Sequence, residues 1–400
     1  MTNSAHFLPV KKKAFEHVER SHMLYELTEE QQMLQDMVRD FSRKDIAPFA
    51  EKYENEHAFP EKILKKMGEL GLLGMGVPEE FGGCFSDHLS IFLAVEEISR
   101  VMPSLAVIFS VHCSLFCYAL HLYGTPEQKA KYLPPAASGE LLGAFSLTEP
   151  GAGSDATNLK TTAVLDGDTY ILNGTKAWVT TGAAAGAVLL FARTREADRK
   201  KLSAFIVEES NPGFHVTKIE EKMGLHASQT AEILLDNCRI PASNLLGGEG
   251  KGAAIALNCL DGSRIGIAAQ SVGLSQRALE EALKYAESRE AFGKPISKLQ
   301  AIQLKLADIA TQLEAGRLLM HQAAGLFDSG KPFTKEAAMA KLFASEAANR
   351  IVYEALQIHG GYGYSKEFKI EQLYRDARVL SIYEGTSEIQ RLVIARELLK

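Results

Sequence analysis

Cysteine is scarce in this chain and follows no pattern. Five occur, at 84, 113, 117, 238 and 259; the number is odd, and no two are spaced as CxxC. Cys113 and Cys117 lie four apart, but no His or Cys cluster completes a zinc set, so no metal site is expected and reduced thiols in a cytosolic protein are. Positive charge is not in excess either. Lys and Arg number 44 against 50 Asp and Glu, a formal net charge of −6. That excludes a general nucleic-acid or polyanion binder, and any anionic ligand has to be held by a local site. No uninterrupted apolar run approaches the roughly 18 residues of a membrane span, so none is expected. The N-terminal stretch MTNSAHFLPVKKKAFEHVER lacks the signal-peptide order of basic residues, apolar stretch and small-residue cleavage site. Lys11, Lys12 and Lys13 have the charge of an organelle address, yet Glu16 and Glu19 follow closely. Residues 1–26 are expected to be a solvated arm. No repeat of 20–50 residues is visible. Neither the P-loop pattern nor a GxGxxG after a first strand occurs, which disfavours both nucleotide folds.

What is present is ordinary globular material, 46% hydrophobic over 400 residues, enough for more than one domain. Residues 27–142 read as helical. Thr28 with Gln31 makes a capping box, and Met33, Met37, Val38 and Phe41 recur at helical spacing. Further helical stretches run through Ile63–Leu70, Leu89–Val101 and Leu105–Leu122. Residues 143–249 change texture to short β-branched runs: TAVLDGDTYILNG, AVLLFARTR, SAFIVEE, FHVTKIE and AEILLDNCRI. Their Asp-Gly and Asn-Gly pairs predict tight turns. Residues 250–400 return to long Ala- and Leu-rich helices, about 250–289, 298–329 and 334–359, with a last one starting near Thr386. The order predicts an α+β chain: an N-terminal α-helical domain, a middle antiparallel β domain and a C-terminal four-helix-bundle domain.

Five stretches carry candidate chemistry. The loop Gly247–Gly252 opens a helix and is either a phosphate cradle or a domain hinge. The segment FSLTEPGAGSD, residues 145–155, exposes backbone N–H groups and hydroxyls suited to a polar ligand, or is an Asp-capped turn. Trp178, the only Trp, stands two residues before Thr180, a pairing that suits a flat heteroaromatic or a core indole. QIHGGYGY, residues 357–364, has three glycines in four positions, for close backbone approach or a helix C-cap. In IYEGTSEIQR, Glu384 precedes a Gly-Thr helix start beside apolar residues, where burial would raise its pKa towards that of a working base.

Together with SREAFGKPI and LDGSRIGIAAQ, these motifs resemble the acyl-CoA dehydrogenase family from about residue 27 to the end. Two positions depart from its signatures, Asn158 and Gln372, both peripheral. The resemblance implies FAD bound between the β domain and the C-terminal helices, with Phe145, Leu147, Thr148 and Ser154 on the flavin and its pyrophosphate. Trp178 and Thr180 would lie against the isoalloxazine. Arg289, Phe292, Gln300, Gln357, Gly360 and Gly361 would meet a neighbouring subunit's adenosine half, and Thr386 and Glu388 the cofactor beside the base. That implies a homodimer, paired into a homotetramer.

The resemblance also implies the reaction. Glu384 would remove the α-proton of an acyl-CoA while flavin N5 takes the β-hydride, giving a trans-2-enoyl-CoA. Electrons would pass to an electron-transferring flavoprotein. Ser154, Asp261, Arg264, Tyr383 and Gly385 would contact substrate, though Asp261 and Arg264 also have the spacing of an ordinary i, i+3 ion pair. Some relatives carry the base just before this Arg; here that position is Ser263, which leaves Glu384. SVHCSLF and LDGSRIGIAAQ look most like the short-chain branch, so short or short-branched chains are expected. The rival readings are a flavin oxidase or monooxygenase on the same fold, and a non-catalytic flavoprotein. The expected location is the cytoplasm, or the mitochondrial matrix of a eukaryote.

Overall fold

The computed structural model describes residues 27–84, 86–194 and 201–400; the expected N-terminal arm lies outside them. The first helix, α1 (Glu29–Phe41), starts where the sequence places it. Gln31 N donates to Thr28 Oγ1 at 3.2 Å and Thr28 N to Gln31 Oε1 at 3.0 Å. Helices α2 (Ala47–Asn55), α3 (Glu61–Glu69) and α4 (His88–Ser99) follow. Next comes a continuous helical run of α5 (Pro103–Val111), a π-helical turn over His112–Cys117 and α6 (Tyr118–Tyr123), and then α7 (Pro126–Ser138).

That run bears on the expectation that no membrane span is present. Pro103–Tyr123 is long and apolar enough to cross a membrane by length and composition. Ser104, Ser110, His112 and Ser114 break its apolar string, so it is not an uninterrupted run. Its apolar window is 83% buried inside the protein, which makes it a core helix here.

The middle segment forms β1 (Gly143–Ser146), β2 (Thr162–Asp166), β3 (Thr169–Thr180), β4 (Ala187–Arg193), β5 (Leu202–Glu208), β6 (Phe214–Ile219), β7 (Thr230–Pro241) and β8 (Leu245–Leu246). They make one sheet in the order β6-β7-β3-β2-β4-β5-β8, with β1 on β4. Pairing is antiparallel except at β1–β4 and at the single pair Thr162–Arg193. The parallel entry follows from how the chain leaves the helices: Gly143 N donates to the buried His112 Nδ1 at 3.1 Å, fixing β1 beneath the π-turn. The Asp166-Gly167 turn joins β2 to β3 as expected. Asn173-Gly174 does not turn. It is a register shift inside the long β3, where a Cβ on Gly174 would meet Thr161 Oγ1 at 2.5 Å.

The C-terminal helices are α8 (Gly252–Ser288), α9 (Gln300–Asp328), α10 (Thr334–His359), α11 (Lys369–Ala377) and α12 (Ser387–Leu398). Helix α10 packs on α8, α9 and α12. Helix α4 also packs on α8, at a point where a Cβ on Gly273 would meet Glu96 O at 2.1 Å, so only glycine permits the approach. One apolar core therefore joins Val95 and Ile98 to Ile267, Val272 and Ile351. The Gly247–Gly252 loop joins the sheet to α8. Gly250 N donates to Ser203 Oγ at 2.8 Å, and Gly247, Gly248 and Gly250 all take positive φ.

Candidate active site

The loop after β1 is braced from beneath. Lys176 and Glu149 pair at 2.9 Å with their side chains 0% and 4% exposed. Lys176 Nζ also donates to Leu147 O at 3.2 Å, and the Glu149 carboxylate accepts from Lys160 N and Thr161 N. Burial alone would raise the Glu149 pKa; the Lys176 charge and the amide donors hold it below the ordinary carboxylate value. Ala177 N donates to Thr148 O at 3.0 Å, which sets Thr148 beside Trp178. Phe145 and Thr148 are half-buried, Leu147 is buried and Ser154 is exposed. Trp178 sits at φ +59° in the bulge between Lys176 and Val179 and is 60% exposed. A non-glycine residue at positive φ, turning a large indole outwards, is a strained arrangement of the kind that collects at ligand sites. Nothing lies within 4 Å of a Cβ built on Gly151 or Gly153, and Thr181 Oγ1 is buried without a partner. Open glycines, an outward indole and free hydroxyl capacity fit a flat heteroaromatic with a polar tail.

The second centre is Glu384. It lies between the short 3-10 turn Arg378–Ser381 and α12, whose N-cap is Thr386, and it takes φ +53°. Such a backbone costs about 1–2 kcal/mol for an L-residue. Gly385 follows at φ +88°, and a Cβ there would also meet Gln390 Nε2 at 2.7 Å. Ser263 Oγ on α8 donates to Glu384 Oε2 at 2.6 Å. Burial raises the Glu384 pKa, opposed by the Ser263 hydrogen bond and the charges of Arg264 and Lys341. Cys259 shares the site, its thiol pushed up to about 12 by burial and by the Glu384 charge. Tyr383 donates to Gln270 Oε1. Arg264 and Asp261 do form the i, i+3 ion pair, and Asp261 accepts from Thr334 Oγ1 at 2.7 Å. Arg264 Nε stays buried and without a partner. Glu388 is exposed in the first turn of α12.

Arg289, Phe292, Gln300, Gln357, Gly360 and Gly361 are all exposed. The Arg289 guanidinium stands over the Tyr362 ring at 5.5 Å, so the strand pair after α8 and the turn after α10 share one end of the bundle. No atom lies within 4 Å of a Cβ on Gly360 or Gly361; of the three glycines of this turn, close approach occurs at Gly363, 2.6 Å from Leu356 O. A larger cavity of about 500 Å³, lined by Lys305, Arg350, Tyr353 and Tyr374 among others, includes none of the expected site residues. Among the described residues, no group of three or more His, Cys, Asp or Glu could hold a metal ion.

Three models of one family cover nearly the whole chain. The acyl-CoA dehydrogenase N-terminal domain matches residues 28–140, the middle domain 144–238 and the C-terminal domain 250–399. The chain belongs to the acyl-CoA dehydrogenase family. It is 52% identical to the mitochondrial short-chain specific acyl-CoA dehydrogenase of Bos taurus, over 95% of this chain and 93% of that one. Butyryl-CoA dehydrogenase from Megasphaera elsdenii superposes with a TM-score of 0.92 at 42% identity, covering 94% of this chain and all of that one. An acyl-CoA dehydrogenase complexed with FAD from Bacillus anthracis gives 0.90 at 37% identity, over 96% and 68% of the two chains.

Sequence reasoning missed Glu149, Lys176, Lys341 and Gln390. The one visible signal was Lys341, a lone lysine inside the apolar run AAMAKLFAS.

Proposed function

We propose that this enzyme dehydrogenates short or short-branched acyl-CoA thioesters to trans-2-enoyl-CoA, with Glu384 removing the α-proton. The observation that carries the reading is the Glu384 carboxylate itself, raised in pKa by burial yet oriented by Ser263 at 2.6 Å. A base so placed is partly desolvated and aimed before substrate arrives. The cofactor is FAD, and it supplies the two-electron acceptor for the β-hydrogen. Phe145, Leu147, Thr148, Ser154, Trp178 and Thr180 hold it on one side, and Thr386 and Glu388 hold it beside the base. The exposed set Arg289, Phe292, Gln300, Gln357, Gly360 and Gly361 serves the cofactor of a neighbouring copy, which makes the enzyme a homodimer or homotetramer. Asp261, Arg264, Ser154, Tyr383 and Gly385 hold the acyl-CoA. Segments 27–142, 143–249 and 250–400 act as the three domains of this site. Electrons leave to an electron-transferring flavoprotein, and the enzyme works in the cytoplasm, or in the matrix of a mitochondrion.

The preference for short chains is supported by the likeness to the short-chain specific acyl-CoA dehydrogenase of Bos taurus and the butyryl-CoA dehydrogenase of Megasphaera elsdenii. Anaerobic mixing with acyl-CoAs from butanoyl to hexadecanoyl tests the reading. The flavin should bleach, fastest with the shortest chains, and regain colour quickly with the flavoprotein acceptor but slowly in air. Rapid return in air would identify an oxidase, and no bleaching with any chain a non-catalytic flavoprotein. Arg289→Ala should weaken FAD retention, measured by filtration, and a fully active monomer in solution scattering would contradict the shared site.

A further inference from the structure

Lys341 lies in the middle of α10 with 0% of its surface exposed. Its Nζ donates to Gly385 O at 2.7 Å. From α12, Gln390 Nε2 donates to Gly385 O at 2.9 Å and to Glu384 O at 3.0 Å. Gly385 O of the strained Glu384-Gly385 pair is thus held from two helices and Glu384 O from α12 alone, and one of the two donors is a buried cation. A neutral side chain would have served if support of the loop were the whole task, because an amide donates to a carbonyl as well as an ammonium does.

We propose that Lys341 is a positioning residue for Glu384: it fixes the backbone that aims the carboxylate, and its charge favours the ionised form. The inference rests on Glu384 being the base. Burial works against the charge, drawing the Lys341 pKa down to about 7, with Glu384 as the largest opposing influence. The other charged or titratable groups facing the pair are Arg264, Asp261 and Cys259 on α8, Glu346 on α10, Tyr383 beside the base, and Glu388 and Arg396 on α12. Of the cations among them, Arg264 is committed to Asp261. Lys341 has only a backbone oxygen as hydrogen-bond partner, so its charge is not taken up by a paired carboxylate and adds to that of Arg264 at Glu384.

Three variants separate pin from charge: Lys341→Met removes both, Lys341→Gln keeps a donor, and Lys341→Arg keeps the charge. Two readings are taken on each purified holoenzyme. One is the pH at which the Glu384 carboxyl protonates, from infrared difference spectra against Glu384→Gln. The other is the pH profile of anaerobic flavin bleaching. Lys341→Met and Lys341→Gln should move the carboxyl titration and the acid limb of the rate upwards by about one unit, as expected on losing a nearby opposite charge. Lys341→Arg should leave both near the parent. Maximal rate should fall about tenfold or more in Lys341→Met, with little change in KM, since loss of aim costs rate steeply. An unmoved carboxyl titration in Lys341→Met, or in Lys341→Gln should the first not fold, overturns the proposal. A carboxyl that moves while the rate profile does not, with Glu384→Gln still active, overturns the base and leaves the electrostatic coupling standing.

Discussion

At the scale of single residues, the candidate base proposed above stands out in the sequence and its surroundings do not. IYEGTSEIQR picks out Glu384 because a Glu before a Gly-Thr helix start has few places to go. That Ser263, 121 residues earlier, donates to it at 2.6 Å follows only from how α8 crosses the loop. Burial makes the Glu384 carboxylate a stronger base, and Ser263 draws it back. Ser263→Ala should therefore raise the pKa of the base, so the acid limb of the rate profile moves to higher pH. A hydrogen bond to a charged group contributes about 1.5–3 kcal/mol, and one pKa unit is about 1.4 kcal/mol, so a shift of about one to two units is expected. A profile superimposable on the parent would remove Ser263 from the account. The same contact predicts that Ser263→Glu, added to Glu384→Gln, regains measurable turnover, because the two side chains address one point. Trp178 is the opposite case. Its pairing with Thr180 was readable, but the positive φ that turns the indole outwards depends on a bulge in β3 that pattern alone does not encode.

At the scale of elements, long periodic helices and hydrophobic runs were readable, because burial of one face or both faces leaves its period in the string. The last helix begins at its Thr386 cap as the sequence predicts. Interruptions were not readable. The π-turn at His112–Cys117 sits in an unbroken helical pattern, and Asn173-Gly174 has turn chemistry but lies within β3. Nor does alternation announce that Lys176 is buried under the loop it supports. Removing one partner of a buried pair leaves the other charge uncompensated. Lys176→Met should therefore cost about 3 kcal/mol or more of folding stability in urea titration, and adding Glu149→Gln should return part of it. Because the Glu149 pKa is depressed, its contribution is present above the unfolded carboxylate value and is lost as pH falls through the folded one. A Lys176→Met protein as stable as the parent would show that the brace has no energetic role.

At the scale of the molecule, the order helices, strands, helices was legible, but the contacts that join the three parts were not. One junction gathers Glu54 from α2, the loop Leu225–Ala227 before β7, and Asp376 from α11. Leu225 N donates to Asp376 Oδ1 at 2.6 Å and His226 N to Glu54 Oε2 at 2.9 Å. Gln372, one of the two departures from the signatures, donates to Asp376 Oδ2 at 3.1 Å and accepts from Lys369, one helical turn before it. Burial, with the Glu54 charge beside it, pushes Asp376 up to about 6. The sign follows directly. The folded state holds this proton where the unfolded chain has released it, so the group makes folding less favourable as pH rises from about 4 to about 6. Asp376→Asn should remove that slope and recover on the order of 2 kcal/mol at neutral pH, read from urea midpoints at two pH values. An unchanged difference between the two would contradict it. The proposed chemistry converges on one carboxylate, and the anaerobic rate of flavin bleaching by a short-chain acyl-CoA in Glu384→Gln tests it most directly. The amide keeps size and hydrogen bonding but accepts no proton, so acyl-CoA should still bind while the rate falls by about 10²–10⁴-fold or more; a rate within about tenfold of the parent would mean that Glu384 is not the base.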